Sequence, residues 1–203
     1  MTDDPVAWPV ELRGVTETLV TTLGPNDLWN VAPLGVHAPA ASGLSEAAAS
    51  ASHPAARTWG QTRTWRNFRE RGGGYVQFTR DPEVFVEAAL SITERDEPVL
   101  AEADAWVRVG VTRVAEGTAG ETDWTDWRLE ALEAEVEREH VPTFNRGYAA
   151  VIEATVAASR LDVPSYDTER LRDRLEYFIG VAERAGGPAE RRAIDRVRAL
   201  TEE

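Results

Sequence analysis

The spacing of apolar residues changes along this chain, from a period of two in the longer N-terminal part to a helical period near the C-terminus. Residues 104–115 alternate, which predicts a strand whose apolar face carries Ala105, Val107, Val109 and Val111. Residues 145–160, 167–184 and 189–200 instead repeat apolar residues three and four apart, which predicts three helices. Strands followed by helices are typical of the α+β class.

A turn cluster separates two runs of β-forming residues near the N-terminus. Residues 10–22 are rich in Val, Leu and Thr, the sequence Gly-Pro-Asn-Asp follows at 24–27, and residues 28–36 resume an extended pattern. This order predicts a β-hairpin. Pro33 in the second run indicates an edge strand or a bulge, because proline donates no backbone hydrogen bond.

Between this hairpin and the alternating strand, the sequence predicts a loop and two short helices. Residues 38–56 are rich in Ala, Ser and Pro and offer little to bury, so we expect a mobile loop or insertion in which a short helix can form. The first helix is predicted over residues 64–71, with Thr64 as a possible cap, and a strand over 75–79. The second helix opens at Asp-Pro-Glu, residues 81–83.

Residues 126–140 carry conflicting signals. Their composition favours an exposed helix, yet their apolar residues alternate in two phases that change near Ala131 and Leu132. A strand with a β-bulge at that point accounts for both phases. We therefore predict a bulged strand here, a choice that also agrees with the family resemblance described below.

The composition excludes several classes of protein. The chain has 203 residues, no cysteine and three scattered histidines, so a disulfide framework and a cysteine or histidine zinc site are not expected. No apolar run is long enough to span a membrane, and the N-terminus lacks the pattern of a signal peptide. With a net charge of −13, the chain as a whole is expected to repel nucleic acid and anionic membranes.

The cations of this chain are all arginine, and its carboxylates are dispersed. An acidic, self-repelling surface is tolerable in concentrated salt, where charges are screened over about 3 Å, so we expect a salt-adapted, cytoplasmic protein. GC-rich codon usage is the alternative explanation for the absence of lysine. Neither explanation identifies a function.

One segment has the opposite charge. Residues 57–71 hold five arginines and one glutamate, a local charge of +4 that leaves −17 on the rest of the chain. Hydroxyl and amide side chains lie among these arginines, and a helix is predicted to begin there: the residues are Thr58, Thr62, Thr64 and Asn67. Guanidinium groups, hydroxyl donors and a helix N-terminus are the components of a phosphate site.

Two other interpretations of this segment stay open. Its arginines can pair with surface carboxylates elsewhere, which is the commonest fate of surface arginine. Binding of single-stranded RNA by mixed Arg and Trp is a third possibility, which the acidic remainder of the chain disfavours.

The segment from Thr64 to Phe78, TWRNFRERGGGYVQF, resembles the FMN-binding motif of flavin reductase-like split barrels. Four segments in order extend the likeness, and together they resemble the archaeal domain of unknown function family 447, which is grouped with those barrels: residues 30–36, 56–68, 80–90 and 144–161. The resemblance spans about residues 11–200. It implies an FMN-binding split β-barrel over residues 10–142, with an insertion at 38–56, and a C-terminal helical region over 143–203 packed on the barrel.

The resemblance also implies which residues bind FMN. Those implied at the phosphate and ribityl chain are Arg57, Thr58, Thr62, Thr64 and Asn67. The segment from Asn30 to Gly35 would run beside the isoalloxazine, where three small or rigid residues permit close backbone approach: Ala32, Pro33 and Gly35. Asn145 and Arg146, at the start of a helix, are weaker candidates for the cofactor or a dimer partner, and Asn145 is equally well explained as a helix cap.

The resemblance leads to three functional hypotheses. The first is an FMN-dependent reductase that uses a nicotinamide or another reduced carrier, the second a non-catalytic FMN-binding or electron-carrying module, and the third an interaction protein whose flavin site is empty. A homodimer is implied, with Trp59 and Trp65 as cofactor or interface neighbours. His37 is a candidate proton donor, and Arg63 stands where related reductases often carry an acid, which leaves the substrate unassigned.

Overall fold

The computed structural model describes residues 6–49 and 52–202, and these form two compact units. The first unit contains the strands and comprises residues up to Thr79 together with 94–139. The second contains residues 80–93 and those from His140 onward. This division differs from the expected boundary at residue 142. Residues 80–93 lie between strands of the first unit in the sequence but pack with the C-terminal helices.

The strands of the first unit form an antiparallel sheet that closes on itself. They are β1 (Val15–Leu23), β2 (Trp29–His37), β3 (Ala55–Trp59), β4 (Gly73–Phe78), β5 (Thr93–Arg95), β6 (Ala105–Ala119) and β7 (Thr122–Val136). Their order is β1-β4-β6-β7-β3-β2-β5, and pairing of β1 with β2 closes a six-stranded barrel with β5 outside it. The predicted class, a split β-barrel followed by C-terminal helices, is confirmed.

The helices of the described chain are α1 (Glu46–Ala49), α2 (Arg63–Arg71), α3 (Pro82–Leu90), α4 (Arg146–Ala158), α5 (Thr168–Ala185) and α6 (Pro188–Thr201). In the second unit, α3 to α6 share an apolar core around Val151 and Ile194, both of which are fully buried. The five longer helices lie at the predicted positions. No helix among the described residues is both long and apolar enough to cross a membrane.

The first hairpin forms as predicted, but its first strand is shorter. β1 and β2 pair antiparallel over their full length, from Val15 with His37 to Leu23 with Trp29. The predicted start at residue 10 is wrong, because Gly14 has a φ of 54°, outside the extended conformation that a strand requires.

The ambiguous segment 126–140 is mostly strand, and the predicted bulge is confirmed. In the pairing of β6 with β7, Val109 lies opposite Ala131 and Arg108 lies opposite Glu133. Leu132 is therefore the extra residue, at the point where the two apolar phases change. Tertiary pairing here overrides a composition that favours helix.

The segment 38–56 is more structured than expected. Ala55 and Ala56 belong to β3, and α1 includes Ala48, which is buried, so the expectation of little to bury is wrong at these positions. Residues 50 and 51 lie outside the described residues. The short strand β5 was not predicted, since three residues carry too little periodicity.

The pairing of β3 opens the barrel near the arginine-rich segment. β3 pairs with β2 through Ala55 and Ala56, whereas its whole length from Ala55 to Trp59 pairs with β7. Residues 57–59 therefore diverge from β2, and helix α2 follows directly. This separation of β3 from β2 beyond Ala56 places the start of α2 at the edge of β2.

Candidate functional site

Helix α2 is fixed at both ends and along its buried face. The Oγ1 of Thr62 accepts from the backbone N–H of Trp65 at 3.2 Å, and Gly72 ends the helix in the left-handed conformation with a φ of 71°. The Nδ2 of Asn67 donates to the Oγ1 of Thr22 at 3.0 Å, and Phe68 is buried in the barrel core. The cap is Thr62 rather than the predicted Thr64. The exposed face of the helix is consequently held in one position.

A cleft of about 230 Å³ lies between this helix and the start of β2. We call it the α2 cleft, and it is lined by Gly24, Pro25, Asn26, Asn30, Arg63, Arg66, Asn67 and Glu94. It brings together Asn30 and Asn67, two residues predicted for the FMN site from distant parts of the sequence. It adds two arginines of the +4 segment.

Two donors in the α2 cleft have no partner among the residues that the structure describes. Asn30 is 6% exposed, and its side-chain amide makes no hydrogen bond to the described chain. Because no fully enclosed polar side-chain atom of the described chain lacks a partner, this amide opens onto the cleft. Arg66 is exposed and has no carboxylate within 4.0 Å among the described residues. Arg63, in contrast, pairs with Glu94 at 2.8 Å.

The side chain of Arg57 forms an ion pair with a buried carboxylate. Its Nε and Nη2 donate to the two carboxylate oxygens of Asp126 at 2.7 and 2.9 Å, and Asp126 is fully buried. The backbone N–H of Ser45 also donates to Asp126 at 2.9 Å, so this carboxylate connects the segment before α1 to the barrel. The guanidinium lies 4.1 Å from the ring centre of Trp124 and 5.4 Å from that of Trp59.

The pKa of Asp126 reflects this pairing. Burial by itself raises the pKa of the carboxyl, but the hydrogen bonds from Arg57 and Ser45 outweigh burial and hold the pKa below its ordinary value. Asp126 is therefore ionised at neutral pH and cancels the charge of Arg57. The interpretation that arginines of this segment pair with carboxylates holds for Arg57 and Arg63.

Arg57 and Thr58 lie on opposite faces of β3, as successive strand residues must. Thr58 is buried, and its Oγ1 accepts from the Nε1 of Trp127 at 2.9 Å in the barrel interior. The structure therefore does not bring Thr58 to the side of the sheet where Arg57 lies. Thr64, in the first turn of α2, is also buried.

The predicted isoalloxazine segment is the central part of β2. Ala32, Pro33 and Gly35 are partly exposed, whereas Leu34 is in the barrel core. Gly35 has a packing role: a Cβ there would lie 3.1 Å from the Cγ1 of Val15 on the neighbouring strand. A Cβ at residue 35 would need the side chain of Val15, which is half exposed, to shift by a few tenths of an ångström.

A second cleft, of about 360 Å³, lies on the other side of α2. We call it the acidic cleft, and it is lined by Gly60, Gln61, Trp65, Glu116, Gly117, Thr118, Asp123, Trp124 and Thr125. Its charged lining consists of two carboxylates and no arginine. Of these two carboxylates, Glu116 also forms an ion pair with Arg113 at 2.8 Å.

His37 is poorly suited to proton donation. Burial lowers the pKa of His37, against the opposing effect of the hydrogen bond between its Nδ1 and the carbonyl oxygen of Ser42 at 3.2 Å. The imidazole is therefore neutral at pH 7, and its Nδ1 proton is used by that carbonyl.

Asn145 and Arg146 belong to the second unit. The Oδ1 of Asn145 accepts from the backbone N–H of Gly147 at 2.8 Å, and its Nδ2 donates to Glu190 at 3.1 Å. Asn145 is thus the cap of α4, which was one of its two interpretations, and Arg146 is the exposed first residue of that helix.

Sequence reasoning missed the carboxylates that decide which arginines are available. Asp126 and Glu94 are far from the +4 segment in sequence, and no local pattern marks them as its partners. Arg66 was present in the cluster but had no feature to distinguish it from its neighbours. Among the described residues, no group of three or more His, Asp or Glu side chains is placed to hold a metal ion.

Two family models match this chain. One is described as the N-terminal domain of DUF447, a protein of unknown function, and matches residues 16–138. The other is described as a protein of unknown function, DUF447, and matches residues 145–199.

Solved structures are also similar. An FMN-bound protein from Methanosarcina mazei, assigned to DUF447, is 24% identical with a TM-score of 0.74, over 93% of this chain and 96% of that one. Component B of nitrilotriacetate monooxygenase from Bacillus cereus is 16% identical, with a TM-score of 0.42, over 66% and 74%. The 2-nitrobenzoate 2-nitroreductase of Pseudomonas fluorescens is 14% identical, with a TM-score of 0.44, over 63% and 67%. The first match shows a shared fold, and the other two are too weak to carry an argument.

Proposed function

Because this chain belongs to the DUF447 family, we propose that it is an FMN-binding flavoprotein whose cofactor lies along β2 beside the start of α2. The observation that carries the proposal is the α2 cleft, where the buried amide of Asn30 and the guanidinium of Arg66 have no partner in the described chain. Donors left free in this way suit a polar, anionic ligand. The family member from Methanosarcina mazei, which shares the fold over nearly the whole chain, is FMN-bound.

Different residues of this chain would contact different parts of the cofactor. Pro33 and Gly35, which share one face of β2 and are partly exposed, offer a surface of small or rigid residues for a planar ring, and Ala32 lies on the other face with Asn30. The first turn of α2 offers free backbone N–H groups next to Thr62. Asn67 holds this helix against β1 through Thr22 and so positions the donors. Bound FMN would supply hydride or electron transfer, for which these residues provide orientation and charge.

Visible absorption spectra test this proposal directly. We expect protein purified in concentrated salt to be yellow, or its apoprotein to take up FMN with quenching of flavin fluorescence. The Asn30→Ala variant should bind FMN less tightly with an unchanged free energy of unfolding, since its amide makes no bond within the described chain. Wild-type protein that takes up no FMN in titration would refute the proposal and leave an interaction protein as the alternative.

We further propose that the bound flavin accepts electrons from a reduced nicotinamide. Anaerobic bleaching of the flavin absorbance by a nicotinamide donor is the expected result. A flavin that is bleached by dithionite but not by a nicotinamide would indicate an electron carrier or a different donor.

A homodimer is the assembly we propose. It is supported by aromatic and aliphatic side chains that are exposed on the barrel unit, such as Trp59 and Leu132. Light scattering measures the oligomeric state.

A further inference from the structure

We infer that Asp126 is a positioning residue of the proposed flavin site, because it holds residues 38–48 beside the surface that Pro33 and Gly35 offer to the flavin ring. We call residues 38–48 the strap. This inference rests on the proposed function and deepens it. It also gives the ion pair of Arg57 with Asp126 a role other than binding the phosphate, to which the sequence assigned Arg57.

The strap runs from β2 to β7. It follows His37, the last residue of β2, and the backbone N–H of Ala38 donates to the carbonyl oxygen of Gly14 at 2.8 Å. Further along the strap, the backbone N–H of Ser45 donates to the Oδ2 of Asp126 on β7 at 2.9 Å. Because β3 lies between β2 and β7 in the sheet, the strap passes over β3.

The burial of two residues shows that the strap covers the outer face of the sheet. Ala56 and Trp127 pair with each other and belong to the barrel core, so Ala55 and Asp126, their neighbours in sequence, point outwards. Ala55 and Asp126 are nevertheless buried, with exposed fractions of 2% and 0%. Helix α1, which contains the end of the strap, lies against β6 and β7. The outer face at β3 and β7 is therefore covered by the strap.

The strap also packs against one end of the proposed ring surface. Pro33, Gly35 and His37 alternate along β2 and therefore share one face. The Nδ1 of His37 donates to the carbonyl oxygen of Ser42 in the strap at 3.2 Å. Gly43 follows with a φ of 98°, and a Cβ at that position would lie 3.4 Å from the Cε1 of His37. The strap thus borders the surface proposed for the flavin ring.

Polar contacts, more than apolar packing, hold the strap in place. Of residues 38–48, Ala48 is the one that is buried, and the others are partly or fully exposed. Hydrogen bonds to an ionised carboxylate are about twice as strong as those between neutral groups. The bond from Ser45 to Asp126 is therefore expected to contribute a large part of what keeps the strap on the sheet.

Arg57 fixes the carboxylate that holds the strap. Its Nη2 donates at 2.9 Å to the same Oδ2 of Asp126 that accepts from Ser45, and its Nε donates to the Oδ1 at 2.7 Å. The guanidinium is held in turn by Trp124, whose ring centre lies 4.1 Å away. The ion pair therefore presents an acceptor to Ser45 in one orientation.

Ser45→Pro tests the strap without removing the ion pair, because proline has no backbone N–H. We expect the backbone amides of residues 38–48 to exchange with deuterium roughly 10-fold faster in this variant, as loss of one charge-assisted hydrogen bond implies. FMN should also dissociate several-fold faster, since the border of its ring surface is loosened. Hydrogen-exchange mass spectrometry measures the first effect, and recovery of flavin fluorescence on dilution measures the second.

Glu46→Pro is the matched control. The backbone N–H of Glu46 makes no hydrogen bond in the described chain, and proline suits the first position of a helix. This variant should change neither the exchange of the strap nor the release of FMN. Exchange in β4 and β6 should stay the same in both variants, whereas a general loss of stability would raise it across the barrel.

The outcomes separate this inference from the proposed function. If Ser45→Pro speeds exchange in the strap but leaves FMN release unchanged, the strap does not border the flavin and the inference is wrong, while flavin binding stands. Unchanged exchange in the strap would show that Asp126 does not hold it, and this result would also overturn the inference. Wild-type protein that takes up no FMN would contradict the proposed function and, with it, any role of the strap at a flavin.

Discussion

Replacing Asp126 with asparagine is expected to lower the free energy of unfolding by about 3–5 kcal/mol, the usual cost of removing one partner from a buried ion pair. Asp126 is fully buried, and the side chain of Arg57 is 16% exposed, so the guanidinium would keep its charge with little water and no carboxylate to compensate it. The variant also weakens the hydrogen bond from the backbone of Ser45. Urea denaturation followed by tryptophan fluorescence measures the change.

A matched control and a double variant separate this pair from ordinary surface charges. Glu133→Gln removes a carboxylate from the exposed pair with Arg108, so we expect a change of about 0–1 kcal/mol. Arg57→Met combined with Asp126→Asn should be less destabilised than the sum of the two single variants, because neither unpaired charge remains. Additive single effects would indicate that the pair is not coupled.

The pH dependence has a defined sign. Because the pKa of Asp126 is lower in the folded state than its unfolded value of about 3.9, the stability from this carboxylate is fully present above that pH. It is lost as the pH falls through the folded pKa. The stability difference between wild type and Asp126→Asn should therefore shrink below about pH 4, which acid titrations in urea can follow.

Phe68→Ala is expected to cost about 3–5 kcal/mol and to abolish flavin binding with it. Phe68 is 1% exposed, and its ring packs edge-on against Trp127 with 5.5 Å between ring centres. It is the apolar anchor of α2 in the barrel core, so its loss leaves a cavity and frees the helix that carries Arg63, Arg66 and Asn67. Denaturation and FMN titration of the same preparation measure both effects.

Phe144→Ala is the matched control for that substitution. Phe144 is fully exposed, so removing its ring should change the free energy of unfolding by less than about 0.5 kcal/mol. Equal losses from Phe68→Ala and Phe144→Ala would argue against the position of α2 described above. Retained FMN affinity in a folded Phe68→Ala protein would argue that the flavin does not depend on this helix.

Strong local signals were sufficient for most of the fold. The turn at residues 24–27 located the first hairpin, and Asp81-Pro82 located the start of α3. The two apolar phases of residues 126–140 located the bulge at Leu132, although propensity favoured a helix. Strand β5 was missed because three residues carry too little periodicity to indicate a strand. The true start of β1 was missed because amino-acid composition does not specify the backbone angle at Gly14.

The sequence located the candidate site less precisely than it located the elements of the fold. The charge of residues 57–71 and the resemblance to family 447 indicated the right part of the chain, next to which the α2 cleft lies. They could not distinguish Arg57 from Arg66, because the distinction depends on carboxylates contributed by β7 and β5. The sequence also could not show that Thr58 faces the barrel interior, because the face on which a strand residue lies depends on the register of pairing.

The amino-acid sequence by itself determined the order of strands and helices, the bulged strand and the position of a cationic segment in an acidic chain, since periodicity, turn residues and charge are local properties. Tertiary structure alone decided which of those cations remain free. An arginine's charge is available to a ligand only if no carboxylate is placed against it, and Asp126 and Glu94 reach Arg57 and Arg63 only when the sheet closes. Of the two arginines that line the α2 cleft, folding thus leaves Arg66 without a carboxylate partner among the described residues, as it leaves the side-chain amide of Asn30 without a hydrogen bond there.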